Sequence, residues 1–214
     1  MFLLQRELLQ YESGSTREDK DTRMEGLAKL KQDLVILETM AGETAEYLQS
    51  DVLFWPLQGA NLPRLTLGAY LLRRHRLFAL QELLDEDERR RLSAAVQEFQ
   101  AALAGSIVRV ENRAIEELEV RLRQWERHLN GYAGEERSNR AYYATSVETR
   151  AIMEALLNEL EAGPYQLPAR LPERRDLLDS HLRSRWRSGP FIWPEAWRPA
   201  YPKAAYWWLY GVPA

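Results

Sequence analysis

Cysteine is absent from the 214 residues, which excludes disulfides, thiolate metal sites and cysteine nucleophiles, and fits a reducing compartment. Long apolar runs are also missing. The first charge comes at Arg6, and no later stretch approaches the roughly 18 uncharged apolar residues of a spanning helix. Neither a signal peptide nor a membrane span is expected, and a cytoplasmic setting is. Glycine-rich phosphate loops are lacking, and His75, His128 and His181 stand on three separate segments without a Glu-x-x-His or paired-ligand spacing. No metal or cofactor is therefore expected, and scattered Ser, His and Asp residues support no catalytic assignment.

Proline is missing between Arg64 and Gly163, where glycine is also sparse, so this stretch is helical. An earlier start signal is Ser15-Thr16-Arg17-Glu18, a capping-box pattern that opens a helix of about 16–50. Within it Leu30, Leu34, Leu37, Ala41, Ala45, Leu48 and Val52 follow an 11-residue repeat. A heptad reading places Thr44 on the seam and fits less well. The same 11-residue phase runs through 86–129, from Leu92 through Leu103, Ile107 and Leu118 to Leu129, and survives Gly105. That period calls for nearly straight helices lying side by side.

Three shorter helices complete the pattern: 66–84 with Thr66 as its cap, 135–161 after Asn130-Gly131 with Tyr142 and Met153 inward, and 172–187 opening on Pro172. Residues 1–12 read as a short helix. The expected fold is thus all-α, a bundle of four to five helices, two of them unusually long, with residues 1–163 forming the bundle. Residues 164–214 add a helix and an aromatic, proline-rich wrap packed on it within the same domain. Nine of the 22 aromatics fall between Trp186 and Tyr210, and rings at that density repay ordering when buried. Trp207 and Trp208 are the expected anchors.

A continuous helix over 86–129 would be about 66 Å long, whereas a compact domain of this size is roughly 45 Å across. Such a helix either bends sharply, Gly105-Ser106 being the place for it, or projects and needs a partner; self-association, most simply a dimer, is the economical solution and would cover the projecting stripe.

Charge is uneven. Residues 164–214 carry eight Arg or Lys against four Asp or Glu, so the C-terminal quarter is basic within a chain of net charge −3. Arginine outnumbers lysine 25 to 4. The run Arg73-Arg74-His75-Arg76 covers a whole helical circumference, so one arginine, best Arg74, must lie near the apolar side and reach an acid such as Glu38 or Glu98. Arg89, Arg90 and Arg91 follow Asp85, Glu86 and Asp87 by four residues and read as self-neutralised. Glu119 with Arg123 and Asp179 with Arg183 repeat that spacing.

The expected function is a non-enzymatic helical interaction or scaffold protein. The alternative is a nucleic-acid binder using Arg185, Trp186, Arg187 and Arg198, in which rings and arginines would stack bases; the internal acid pairs make it the weaker reading. Third comes a helical-bundle enzyme or small-molecule binder with a pocket near Arg74 and His75.

Overall fold

The computed structural model describes residues 17–59, 61–131 and 140–213, with side chains from Thr22 onward. Among these are seven α-helices: α1 (Arg17–Gln49), α2 (Leu67–Ala79), α3 (Glu86–Leu103), α4 (Ile107–Gly131), α5 (Arg140–Ser146), α6 (Glu148–Ala162) and α7 (Arg170–Arg183). Two small antiparallel ribbons pair β1 (Trp55–Pro56) with β2 (Arg64–Leu65) and β3 (Trp186–Ser188) with β4 (Gly211–Pro213). The chain is all-α in class. The expected helix at 1–12, the Ser15-Glu18 capping box and the proposed helix start at 135 lie outside the described residues.

In α1 the buried face follows the heptad pattern rather than the 11-residue one: Leu30, Leu34, Leu37, Ala41, Thr44 and Leu48 are buried, while Ala45 is exposed. Thr44 tolerates the seam because its hydroxyl donates to the Met40 carbonyl at 2.7 Å, so no polar group is left unpaired. Two arginines of α4 finish α1. Arg109 donates to Leu48 O at 3.0 Å and Arg113 to Ser50 O, supplying from a neighbour the basic C-terminal groups that α1 lacks.

The helix expected over 86–129 is two helices. Gly105 takes φ +79°, the left-handed conformation that ends helices and that glycine adopts without a Cβ penalty. The stripe breaks with it: Ile107 and Val108 are exposed, whereas Val110, Ala114, Leu118 and Leu122 resume the core in α4. Neither half needs to project, so the geometric reason for self-association is gone. The opening of α3 is a capping box, with Asp85 accepting from the Glu88 amide and Glu88 accepting from the Asp85 amide, both at 2.9 Å.

Helix α2 lies against α1, α4 and α6. Thr66 caps it as expected, accepting from the Ala69 amide at 3.1 Å. Its own hydroxyl donates to Glu117 at 2.6 Å, and the Gly68 amide donates to the other Glu117 oxygen at 2.8 Å. A fully buried carboxylate from α4 thus sits at the α2 N-terminus, where the dipole favours it. A Cβ on Gly68 would stand 2.5 Å from Ile152 Cγ2 and 2.9 Å from Leu156 Cδ1, so glycine sets how closely α2 approaches α6.

The helix expected over 66–84 stops at Ala79 and continues as a 3-10 turn, Gln81–Leu83. Around residue 143 the buried ring is Tyr143, whereas Tyr142 is half-exposed. The expected 172–187 helix ends at Arg183, and Trp186–Ser188 is drawn into a ribbon with 211–213 instead. Phe191, Trp197, Tyr201, Trp208 and Tyr210 are buried, so the aromatic tail is a wrap. Trp208 is the deeper of the two expected anchors and Trp207 is half-buried. The Trp197 indole donates to Gly26 O at 3.0 Å and fixes the wrap on α1.

Candidate functional site

Residues 73 and 76 are three apart in α2 and therefore share a face. That face meets Asp33 of α1. Arg76, not Arg74, is the arginine buried by the 73–76 run, and its Nη1 donates to Asp33 Oδ2 while its Nε donates to the Tyr201 hydroxyl at 3.0 Å. The guanidinium carbon lies 3.7 Å from the centre of the Trp197 ring. Burial opposes the Arg76 cation, but the Tyr201 oxygen and Asp33 outweigh it and its pKa is raised. Arg73 Nε stands 3.2 Å from Asp33 Oδ1.

Two arginines thus share one carboxylate, with side chains of Arg73, Arg76 and Asp33 only 11, 6 and 10% exposed. Beside them opens a cavity of about 520 Å³. Ile36 and Gln32 of α1, the 61–63 loop and the rings of Trp193 and Trp197 wall it. Asn61 at its rim holds φ +62°. Glu148, in the first turn of α6, lines the same cavity half-buried, and makes no ion pair or side-chain hydrogen bond among the described residues.

Arg74 and His75 line a separate, smaller cavity of about 210 Å³ together with Asn158, Glu159 and Tyr206. Arg74 pairs with Glu159 at 2.6 Å, neither Glu38 nor Glu98 being its partner. His75 Nε2 is 2.8 Å from Ala200 O, so this nitrogen carries the proton and donates, a bond that the neutral ring and the imidazolium can both make. Burial lowers the His75 pKa, and Arg76 and Arg74 lower it further against the opposing Ala200 bond.

The unfolded chain takes up a proton at His75 near pH 6.5 and the folded chain only below it, so stability is full above that value and lost as pH falls through the window below it. His128, also depressed by burial, acts the same way. Urea midpoints at pH 7 and 5.5 are expected to fall on acidification, and His75→Gln, which can still donate to Ala200 O, is expected to shrink the fall. An equal fall in both proteins would show that His75 is not the group responsible.

The basic residues of the C-terminal quarter do not converge. Arg185 donates to Leu129 O at 3.2 Å and so finishes α4. Trp186 packs its ring between Tyr143 and Trp207. Arg187 is exposed opposite Val212 in the β3–β4 ribbon, and Arg198 pairs with Glu195 at 2.7 Å. Asp179 pairs with Arg150 of α6 and not with Arg183, whose guanidinium lies 3.9 Å from the Trp207 ring centre. Glu119 likewise takes Arg170 rather than Arg123. Arg91 makes two bonds to Glu38 of α1, at 2.8 and 2.6 Å, while Arg90 pairs with Asp87. Comparison with family models, curated proteins and solved structures finds no match.

Sequence reasoning found the 73–76 run but missed Asp33, Glu148, Trp193 and Trp197 as its neighbours. Asp33 is one acid among many in α1, and no local pattern marks it. The one usable signal was an acid inside the Leu30–Leu34 turn, on the edge of the buried stripe.

Among the described residues no helix is long and apolar enough to cross a membrane, and no three His, Asp or Glu residues are grouped to hold a metal ion.

Proposed function

We propose that the chain is a non-enzymatic binding scaffold: a helical frame, closed by the aromatic wrap, that presents the cavity between α1, α2 and the wrap to a small-molecule ligand. One observation carries this reading, the buried pair of arginines with a single carboxylate between them at the wall of an open cavity. Buried charges in proteins are paired, and here two arginines share one contacting carboxylate, the remaining positive charge being answered only from beyond contact distance by Glu148 of α6, beside a space of the size that ligand sites occupy. The frame supports such a role, because the Arg76 guanidinium is held by Asp33, Tyr201 and Trp197 before any ligand arrives. A donor already in place does not lose orientational freedom on binding.

A nucleic-acid interface has less behind it, since Arg174, Arg183, Arg185 and Arg198 are each engaged within the fold. Self-association had rested on a continuous helix and is not part of this proposal.

A thermal-shift screen of water-soluble metabolites tests the reading. A ligand present at about a hundred times its Kd stabilises by about 2.7 kcal/mol, a rise of several degrees in Tm for a domain of this size. Gln32→Trp, at an exposed α1 position on the cavity wall, is expected to abolish the shift without lowering the unliganded Tm. Labelled single-stranded and duplex oligonucleotides at physiological salt are expected to bind no tighter than about 10⁻⁵ M, the non-specific range. A screen without hits, or hits indifferent to Gln32→Trp, would overturn the proposal.

A further inference from the structure

We infer that the cavity between α1, α2 and the wrap takes a small zwitterion, a molecule bearing one carboxylate and one ammonium group, of the free amino acid or short peptide class. This rests on the binding reading above and names its ligand. Arg76 donates through Nε to Tyr201 and through Nη1 to Asp33, and its Nη2 has no protein partner among the described residues. Arg73 shares the same Asp33. The arginine side of the cavity therefore carries one net positive charge and offers planar donors of the kind that suit a carboxylate.

Glu148 lines the cavity from the start of α6; it has no ion-pair partner at contact distance, and its charge reaches Arg76 only from farther off, where it helps raise the Arg76 pKa. It is no more than half-exposed, so its charge is only partly solvated. The cavity thus holds charges of opposite sign on α2 and α6 that are not in contact with each other and, counting Arg73, Arg76, Asp33 and Glu148, no net charge. Lys29 at the rim is itself paired with Glu25 at 2.6 Å.

A neutral dipolar ligand satisfies both ends at once. A phosphate or dicarboxylate would answer the arginines but would face Asp33 and Glu148 with added like charge, which costs affinity. A simple amine would answer Glu148 and leave the arginines as they are. The indole of Trp193, half-buried on the wall, and Ile36 leave an apolar surface for the part of the ligand between or beyond its charged groups. The volume is larger than two charged groups need, which favours an amino acid with a sizeable apolar side chain, or a dipeptide.

Isothermal titration with the full-length chain decides the matter, using L-leucine, L-phenylalanine and leucyl-leucine as zwitterions, N-acetyl-leucine as the carboxylate alone and leucinamide as the ammonium alone. At least one zwitterion is expected to bind at least tenfold more tightly than either blocked compound. Which of the three binds best separates a free amino acid from a peptide as the source of the two groups. Glu148→Gln is expected to weaken the zwitterion at least tenfold and to leave N-acetyl-leucine unchanged or improved, with the unliganded Tm lowered only slightly, since Glu148 gives up its charge in the first turn of α6 and its attraction to Arg76 but no side-chain bond. Equal binding of zwitterions and blocked compounds, or indifference to Glu148→Gln, overturns the inference while leaving a binding cavity in place. Absence of binding by every zwitterion also overturns it, and the metabolite screen with Gln32→Trp then decides separately whether the cavity binds anything.

Discussion

A chain ending at Ser188 is expected to lose its cooperative thermal transition and to aggregate or persist as a loosely packed species. The truncation removes Phe191, Trp197, Tyr201, Trp208 and Tyr210, all buried, together with β4, the strand that pairs with β3. Burial of each such side chain contributes roughly 1.5–3 kcal/mol, so the sum rivals the 5–15 kcal/mol by which a typical domain is stable. The damage goes beyond lost area. Arg76 would lose Tyr201 and Trp197, and the Tyr143 hydroxyl would lose the Trp208 carbonyl it donates to at 2.9 Å. Calorimetry and dye binding read the outcome. A truncated chain melting within a degree or two of the full one would make the wrap an independent element, and the nucleic-acid reading would then gain ground.

Arg150→Ala is expected to cost about 3–5 kcal/mol in urea unfolding, the range for removing one partner of a buried ion pair. The Arg150 side chain is 1% exposed and makes two bonds to Asp179, at 2.9 and 2.8 Å, and one to Glu154 at 2.8 Å. Its guanidinium carbon lies 3.8 Å from the Trp208 ring centre. It therefore joins α6, α7 and the wrap at one point, and its loss leaves Asp179 without its cation and Glu154 with Arg175 alone. Arg150→Met, which keeps much of the volume, is expected to cost less when combined with Asp179→Leu than when made alone, since the pair is then replaced and not broken. A cost below about 1 kcal/mol for Arg150→Ala would show that water or Arg175, 3.2 Å from Glu154, takes over its role.

The candidate site was only half legible. The cluster at 73–76 announced a buried arginine because consecutive charges cannot all reach water from one helix, but the choice between Arg74 and Arg76 depends on the rotation of α2 about its axis. That rotation is set by Thr66, Gly68 and Glu117 at its start and by contact with α6. Likewise the i,i+4 spacing of Asp179 and Arg183 is real, yet a stronger competitor, a buried arginine from another helix, took the carboxylate. Local spacing measures opportunity, and tertiary burial decides which opportunity is worth most.

By itself the sequence determined the helical class, the long first helix, the Thr66 cap and the burial of the C-terminal rings, because periodicity, proline placement and aromatic density act through neighbours along the chain. Only the tertiary structure decided between continuing and breaking the second long stripe at Gly105, and between the two readings of the α1 seam in favour of the one through Thr44. Only there does Asp33 meet Arg73 and Arg76 beside Trp193 and Trp197. Continuing a helix through glycine or ending it differs by about 1 kcal/mol, and a buried threonine is acceptable once its hydroxyl is bonded. Small local preferences of this kind are overruled by the packing of surfaces that lie far apart in the chain.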